Sequence, residues 1–233
     1  MKIGGFLKQS LIDFPGKIAS VIFTSGCNFR CFYCHNAELV LPELILENQF
    51  IDENEIFAYL KKNKQLLDAV VITGGEPTVQ PNLVEFIRKI KELDLLVKLD
   101  TNGTNPENIR QLLADNLVDF IAMDIKSPLK LEKYQEIVGD QFSSAQLNSI
   151  LESIELITKS NIKFEFRSTL VKPYHSFNDI QDMVNSIEED YYLQEFRESK
   201  ILNPNGKNLH SFNRDEILKE IDLSSNKTHV KFR

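Results

Sequence analysis

Residues 69–90 read AVVITGGEPTVQPNLVEFIRKI and contain one complete strand–loop–helix unit. The run Ala69–Thr73 is continuous and β-branched, which predicts a buried strand, and the glycines and prolines after it predict a loop. Between Leu83 and Ile90, apolar residues recur three and four positions apart, which predicts the core-facing stripe of a helix. A strand followed directly by a helix is the repeating unit of parallel α/β folds. This stretch therefore indicates the fold class.

The same unit recurs along the chain, because five further apolar runs alternate with stretches of helical periodicity. Six units in series predict a parallel sheet with right-handed crossovers. Since six units are too few for the usual eight-stranded barrel, we predict an open, partial (β/α)6 barrel with its active site at the carboxyl ends of the strands. We expect one domain over residues 1–233, with the barrel core at 17–200 and a C-terminal extension at 201–233. The predicted strands are Ile18–Phe23, Ala69–Thr73, Leu95–Leu99, Val118–Met123, Ile162–Leu170 and Tyr191–Phe196.

Composition excludes several classes of protein. The chain has 233 residues, of which 42% are hydrophobic, so it can bury a sizeable core and is not disordered. A net charge of −7 argues against nucleic acid or an anionic membrane as a general partner. No apolar run approaches the roughly 20 residues of a membrane span, and the first residues lack the apolar stretch of a secretory signal. We therefore expect a cytoplasmic protein.

The three cysteines lie together at Cys27, Cys31 and Cys34, with the spacing C-x3-C-x2-C. An odd number of clustered cysteines favours an intracellular metal or redox site over a disulfide framework. One alternative is a structural zinc ion, for which His35 would supply the fourth ligand. The other is a cubane iron–sulfur cluster held by three thiolates, which leaves one of its four irons open to a substrate. Because an electron carrier normally has all its irons ligated, three cysteines favour a catalytic cluster.

Polar residues and glycines mark the same end of every predicted strand. Because the carboxyl ends of parallel strands meet at one rim of a barrel, these side chains can converge on a single ligand. The simpler alternatives are helix capping or solvated loop positions for the aspartates, and ion pairs at the rim for the basic residues. The residues are Cys27 after the first strand; Gly74, Gly75 and Glu76 after the second; Asp100 and Thr101 after the third; Asp124 and Lys126 after the fourth; Arg167 within the fifth; and Gln194 and Arg197 at the end of the sixth.

The cysteine loop GCNFRCFYCHN (residues 26–36) resembles the cluster loop of the radical S-adenosylmethionine superfamily, including the aromatic Tyr33 before the third cysteine. Further motifs follow in the order found in glycyl-radical-enzyme activases, and the resemblance weakens only after about Lys200. Within that group, SLIDFPGK (residues 10–17) and QEFR most resemble the activating proteins of anaerobic ribonucleoside-triphosphate reductase. The motifs are TGGEPT (Thr73–Thr78), LDTNGT (Leu99–Thr104), MDIK (Met123–Lys126), FRSTLVKP (Phe166–Pro173) and QEFR (Gln194–Arg197).

The resemblance implies two cofactors, a [4Fe–4S] cluster and S-adenosylmethionine (SAM). The three cysteines would bind the cluster, and the amino and carboxylate groups of SAM would chelate its open iron. The expected cofactor-binding residues are Tyr33, Gly74, Gly75, Glu76, Asp100, Thr101, Asp124, Lys126 and Arg167.

Within this set, residue types suit different parts of SAM. Gly74 and Gly75 permit close backbone approach, and Glu76 offers an acceptor to the amino group. Lys126 and Arg167 are the candidates for the SAM carboxylate and ribose, with arginine the better bidentate partner.

By analogy with the pyruvate formate-lyase activase, a monovalent cation is expected beside the ligand. Asp100, Thr101, Asp124 and a backbone carbonyl near Ala122 would hold it through hard oxygen ligands. That activase also has a histidine near the end of its sixth strand, which this chain lacks. Gln194 and Arg197 are the candidate substitutes for its adenosine contacts.

The resemblance implies that the protein cleaves SAM reductively to a 5′-deoxyadenosyl radical and installs a glycyl radical on a partner enzyme. The expected partner is anaerobic ribonucleotide reductase, with flavodoxin or ferredoxin as electron donor, and the loop at residues 203–208 is placed to touch that partner. One alternative is a related enzyme that acts on another glycyl-radical enzyme or a small molecule. The others are an iron–sulfur electron-transfer protein and a zinc-binding module.

Overall fold

The computed structural model describes residues 1–47, 50–197, 208–223 and 230–233. Within these ranges, nine strands form a sheet connected by nine helices and a 3-10 turn at Pro77–Val79. The strands are β1 (Ile3–Ser10), β2 (Ala19–Thr24), β3 (Ala69–Gly74), β4 (Leu96–Thr101), β5 (Phe120–Asp124), β6 (Lys163–Lys172), β7 (Tyr191–Glu195), β8 (His210–Ser211) and β9 (Val230–Phe232). The helices are α1 (Ala37–Val40), α2 (Pro42–Glu47), α3 (Glu53–Asn63), α4 (Leu83–Lys91), α5 (Pro106–Ala114), α6 (Leu131–Val138), α7 (Ser144–Thr158), α8 (Phe177–Ser186) and α9 (Arg214–Glu220).

Strands β2 to β7 lie side by side in chain order, and each pairs in parallel with the next. Their bounds agree with the six predicted runs to within two residues. Strands β2 and β3 are almost completely buried, as expected for parallel strands with one face toward the helices and the other toward the barrel interior. The prediction of an open, partial (β/α)6 barrel is therefore confirmed.

The sheet also extends beyond the six predicted strands. Strand β1 pairs antiparallel with β2, β9 pairs in parallel with β7, and β8 pairs antiparallel with the end of β6. Strand β1 lies at an edge, register shifts interrupt its ladder, and most of its residues are partly or fully exposed. It was not predicted because an edge strand of this kind lacks the continuous apolar run that marks a buried one.

An apolar cluster fills the barrel interior toward the amino ends of the strands. Phe14, from the loop after β1, meets Phe120 of β5 edge to face, with ring centroids 5.8 Å apart. Small side chains surround the two rings. They share the interior face because side chains alternate between the interior and the helix-facing side along each strand. Since this cluster blocks the amino end, the interior is accessible from the carboxyl end. The other members of the cluster are Ala19, Val21, Ala69, Val71 and Ala122.

The described C-terminal residues pack onto the barrel. Arg233 donates two hydrogen bonds to the carboxylate of Glu165 on β6, both at 2.9 Å, and its guanidinium lies 3.8 Å from the ring centroid of Tyr192. The single domain over residues 1–233 stays a prediction, and residues 203–207 of the predicted partner loop lie outside the described residues. Among the described helices, none combines the length and apolar character needed to span a bilayer.

Candidate active site

A cavity of about 220 Å³ lies at the carboxyl ends of strands β2 to β6. All twelve residues that the sequence singled out for the cluster and SAM line this one cavity, although they come from five different strands or the loops after them. The cavity therefore brings together, within one small volume, thiols, carboxylates and basic groups. The twelve are Cys27, Cys31, Tyr33, Cys34, Gly74, Gly75, Glu76, Asp100, Thr101, Asp124, Lys126 and Arg167.

Backbone hydrogen bonds and one arginine hold the cysteine loop in place. The Arg30 amide donates to the Val138 carbonyl at the end of α6, at 3.0 Å. The Arg30 guanidinium folds back and donates to the carbonyls of Cys27 and Phe29, both at 2.7 Å. Sequence reasoning missed Arg30, because an arginine between two cysteines carries no pattern that distinguishes a loop brace from a surface side chain.

The three thiols are buried to different degrees in the cavity wall. Burial raises the pKa of Cys27 to about 12, and the nearby Glu76 carboxylate and Cys31 add to the increase. Burial likewise raises the pKa of Cys31 to about 12, and it raises that of Cys34. Without a metal the thiols are therefore protonated at neutral pH, so binding a cluster must release protons.

His35, the candidate fourth zinc ligand, makes other contacts in the structure. Among the described residues, no group of three or more His, Cys, Asp or Glu side chains is arranged to hold a metal ion. His35 places Nε2 2.9 Å from the Arg197 carbonyl and its ring beside Phe196. A cubane needs no fourth protein ligand, because three thiolates bind three of its irons and leave the fourth open.

Tyr33 offers a second sign that the cavity accepts a ligand. Its side chain is 4% exposed, and its hydroxyl has no hydrogen-bond partner within the described ranges. A buried hydroxyl without a partner is unfavourable, whereas a bound polar ligand can satisfy it. The donor set and this hydroxyl therefore both fit the cofactor pair that the sequence predicted.

Gly74 and Gly75 bring the loop after β3 against the cysteine loop. Gly74 has φ +116°, a conformation that favours glycine. The Gly75 amide donates to the Thr24 carbonyl at 2.8 Å, and the Glu76 amide donates to the Gly26 carbonyl at 2.8 Å. A Cβ on Gly75 would overlap that Gly26 carbonyl. These glycines therefore allow the loop after β3 to approach the cysteine loop closely.

We expect Gly75→Ala to displace the cysteine loop and lower cluster incorporation, at a cost of about 1–3 kcal/mol in unfolding free energy. The matched control is Gly5→Ala, since neither Gly5 nor Gly75 has a left-handed φ, and the nearest atom to a Cβ added at Gly5 is 3.3 Å away on the Phe23 side chain. Visible absorbance after reconstitution and denaturant unfolding measure the two effects. Equal cluster content and stability in the two variants would contradict this prediction.

Glu76 joins the loop after β3 to the end of β4. Its Oε1 accepts hydrogen bonds from the Thr78 amide (3.0 Å), the Thr78 hydroxyl (2.6 Å) and the Thr101 hydroxyl (2.7 Å). Its Oε2 accepts one from the Asn102 amide at 2.7 Å. Burial raises the pKa of Glu76, and these four donors oppose the increase. The predicted contact between Glu76 and the SAM amino group stays a prediction, for which Oε2 retains an unused lone pair.

Two carboxylates and three basic groups form a connected layer in the cavity wall and the barrel interior. Arg167 places Nε 2.9 Å from Asp124 Oδ1, and Lys126 places Nζ 2.9 Å from Asp124 Oδ2. On the other side, Arg167 Nη1 lies 3.6 Å from Asp100 Oδ2, and Lys98 Nζ lies 2.7 Å from Asp100 Oδ1. Lys98 was not among the predicted site residues.

Burial by itself would raise the pKa of Asp124, but Arg167 and Lys126 outweigh it and hold this pKa at about 2. The same carboxylate raises the pKa of Lys126 against the effect of burial. For Arg167, Asp100 and Asp124 together raise the pKa against burial. Asp124, Lys126 and Arg167 are therefore all ionised at neutral pH.

Because the folded-state pKa of Asp124 lies below its value of 3.8 in the unfolded chain, its ion pairs stabilise the fold above about pH 4 and less as the pH falls toward 2. Only 28% of the side chain is exposed, so solvent screens the pairs little. We expect the stability gap between wild type and Asp124→Asn to narrow by about 2 kcal/mol between pH 5 and pH 2. Urea unfolding of both cluster-free proteins across this range measures the gap. A gap that stays constant would contradict the assignment.

His175, to which the sequence gave no role, is buried behind Lys126. Its Nδ1 accepts a hydrogen bond from the Val171 amide at 3.0 Å, so Nε2 carries the proton and donates to the Lys126 carbonyl at 3.0 Å. Burial lowers the pKa of His175, which keeps the ring neutral. The ring thus fixes the backbone that presents Lys126, a contact that no local sequence pattern indicates.

Gln194 and Arg197 do not line the cysteine cavity. They line an adjoining cavity of about 840 Å³, which shares His35, Asp100 and Arg167 with the first. The contacts of Gln194 and Arg197 with adenosine stay a prediction. Because the two cavities share walls, the second cavity gives a route to the first.

The sequence model of the Radical SAM superfamily matches residues 21–187. The chain belongs to the radical SAM superfamily. This membership agrees with the three-cysteine loop and the resemblance drawn from the motifs. Because members of this superfamily use a [4Fe–4S] cluster and SAM, the chain is a radical SAM enzyme, and the placement of its active site in this cavity stays a prediction.

Relatives differ in how much of their length the chain covers. A protein of Methanocaldococcus jannaschii, named as a candidate glycyl-radical enzyme activating enzyme, is 37% identical over 201 residues, or 83% of this chain and 79% of that protein. The GTP 3′,8-cyclase of Clostridium perfringens is 25% identical over 172 residues, or 71% of this chain and 50% of the cyclase. This radical SAM chain therefore spans only half the length of the cyclase.

Solved structures support the fold. The SAM-bound SuiB of Streptococcus suis matches with a TM-score of 0.65 at 15% identity, over 91% of this chain and 49% of SuiB. An archaeal TYW1 matches with a TM-score of 0.55 at 17% identity, over 87% of this chain and 69% of TYW1. At these identities the similarity concerns the partial barrel alone.

Proposed function

We propose that this radical SAM enzyme is an activase that installs a glycyl radical on a partner enzyme, anaerobic ribonucleoside-triphosphate reductase. The observation that carries the proposal is the 37% identity to the candidate activating enzyme, which extends over most of both chains. The cyclase similarity is a weaker guide to function, because about half of the cyclase has no counterpart here.

When bound, the cluster supplies the electron that cleaves SAM to methionine and a 5′-deoxyadenosyl radical, which removes a hydrogen atom from glycine. The chain's own residues bind and orient these groups. Cys27, Cys31 and Cys34 hold the cluster, and the Tyr33 hydroxyl donates to a polar group in the cavity. Lys126 and Arg167 receive the SAM carboxylate, since the three cations of the layer, with Lys98, exceed its two carboxylates by one charge.

The resemblance to the activases also implied a monovalent cation between Asp100 and Asp124. All four oxygens of these carboxylates face a nitrogen of Lys98, Arg167 or Lys126 at 2.7–3.6 Å. The site as built does not fit an additional cation, because each of these carboxylate oxygens already faces a positively charged nitrogen. The proposed mechanism therefore assigns no step to one.

The adjoining cavity supports a polypeptide substrate. It opens between the loop after β1, where Ile12 is 89% exposed, and the end of β7. Leu11, next to it, is 73% exposed. Exposed apolar residues beside the entrance of an active site are typical of a docking surface for a partner protein. We assign this entrance to the glycine-bearing segment of the reductase. The proposed electron donor is flavodoxin or ferredoxin, and the proposed location is the cytoplasm.

The test uses anaerobically reconstituted protein, SAM, dithionite and the reductase. We expect 5′-deoxyadenosine by chromatography and a glycyl-radical doublet by electron paramagnetic resonance. Ile12→Asp should lower the radical yield, whereas Leu66→Asp, a matched change at a 62% exposed position away from the entrance, should not. Production of 5′-deoxyadenosine without a radical on the reductase would reject the partner while keeping the superfamily chemistry. No 5′-deoxyadenosine at all would reject the proposed function.

A further inference from the structure

Lys98 is a positively charged residue at a buried position in the barrel. It lies on β4 two residues before Asp100, so both side chains point to the same face of the strand, toward the barrel interior. The Lys98 side chain is only 4% exposed. A buried ammonium is costly unless a negative charge compensates it, and the carboxylate of Asp100 lies 2.7 Å away.

Lys98 completes a chain of alternating charges. The order is Lys98, Asp100, Arg167, Asp124, Lys126, and each neighbouring pair is within 3.6 Å. The contact between Lys98 and Asp100 is an ion pair without hydrogen-bond alignment.

The net charge of this layer is complementary to the carboxylate of the ligand that the cavity takes. Three cations and two carboxylates leave one positive charge, which is the complement of a single amino-acid carboxylate. An alkali ion placed among the same oxygens would leave two positive charges beside a ligand that also carries an ammonium and a sulfonium. Because like charges at short range in a partly buried site repel strongly, the additional ion would oppose binding.

We propose that the Lys98 ammonium acts as a built-in counter-ion that positions Asp100, so that SAM binds to this enzyme independently of potassium and sodium. Lys98 is thus a positioning residue. It neutralises Asp100, which leaves Arg167 free to bridge Asp100 and Asp124. This inference rests on the proposed binding of SAM in the cysteine cavity.

The test measures the dissociation constant of SAM by equilibrium dialysis with the reconstituted, unreduced protein, in potassium chloride and in choline chloride at equal ionic strength. We expect the wild-type values in the two salts to agree within about twofold. Lys98→Met removes the charge and keeps the length of the side chain. This variant should bind SAM at least tenfold more weakly in choline chloride and recover in potassium chloride, as the small ion enters beside Asp100.

Lys91→Met is the matched control, because Lys91 pairs with Asp119 at 2.7 Å outside the cavity; its affinity should not depend on the salt. A wild-type protein that loses tenfold in affinity when potassium is withdrawn would overturn the inference, and this result does not depend on whether the variant folds. Equal weakening of Lys98→Met in both salts would also overturn it, since a purely structural role predicts no rescue. If the wild type binds no SAM in either salt, the proposed function itself fails.

Discussion

Cys31→Ala is expected to abolish the formation of 5′-deoxyadenosine from SAM. Cys31 lies at the centre of the cysteine loop and is 9% exposed, so no other thiol can reach its position without unfolding the loop. Loss of one of three thiolates removes the arrangement that leaves a single iron open. Bound iron and the visible absorbance of the reconstituted protein should fall together with activity.

The control for this variant is Ser25→Ala, six residues away at the start of the same loop. The Ser25 hydroxyl is buried and has no hydrogen-bond partner in the described part of the chain, so its removal breaks no bond. We expect its cluster content and rate of SAM cleavage to match the wild type. If Cys31→Ala produced 5′-deoxyadenosine as fast as this control, the cysteine assignment would be wrong.

Glu76→Gln is expected to lower the unfolding free energy by about 2–4 kcal/mol, although the two side chains have nearly the same shape. The carboxylate accepts four hydrogen bonds, including those from the Thr101 hydroxyl and the Asn102 amide. An amide nitrogen at either oxygen position points its hydrogens at existing donors. At least one buried donor is then unsatisfied, and the charge that strengthened the other bonds is lost.

Urea unfolding of the full chain measures this effect, with Glu85→Gln as control. Glu85 is exposed and, among the residues that the structure describes, pairs only with Arg88 across one helical turn, so its change should stay within about 0.5 kcal/mol. Equal stability of the two variants would show that Glu76 does not hold β3 and β4 together. Because the same bonds position Thr101, we also expect Glu76→Gln to weaken SAM binding.

Much of the active site could be predicted from the sequence, for a simple geometric reason. Parallel strands in chain order place all their carboxyl ends on one rim, so residues that follow each strand share a location even when they are far apart in sequence. Cys27, Gly74, Asp100, Asp124 and Arg167 come from five successive units and line a single cavity. Their meeting required only the correct number, order and direction of the strands.

The pairing of individual side chains could not be predicted in this way. A strand pattern shows that Lys98 and Asp100 share a face, but not that Lys98 is buried or that Arg167 spans the distance to Asp100. The anchoring of the Lys126 backbone by His175 is equally invisible, because it joins loops 49 residues apart.

The sequence by itself determined the class of fold, the superfamily and twelve of the residues around the cavity, because periodicity and motif order depend only on neighbours along the chain. The tertiary structure alone decided how that cavity is held and charged. Glu76 ties two strand ends together, Gly75 lies against the Gly26 carbonyl, and Lys98 supplies a positive charge beside Asp100. These contacts depend on burial and on distances of a few ångströms between neighbouring parts of the partial barrel, which no local pattern encodes.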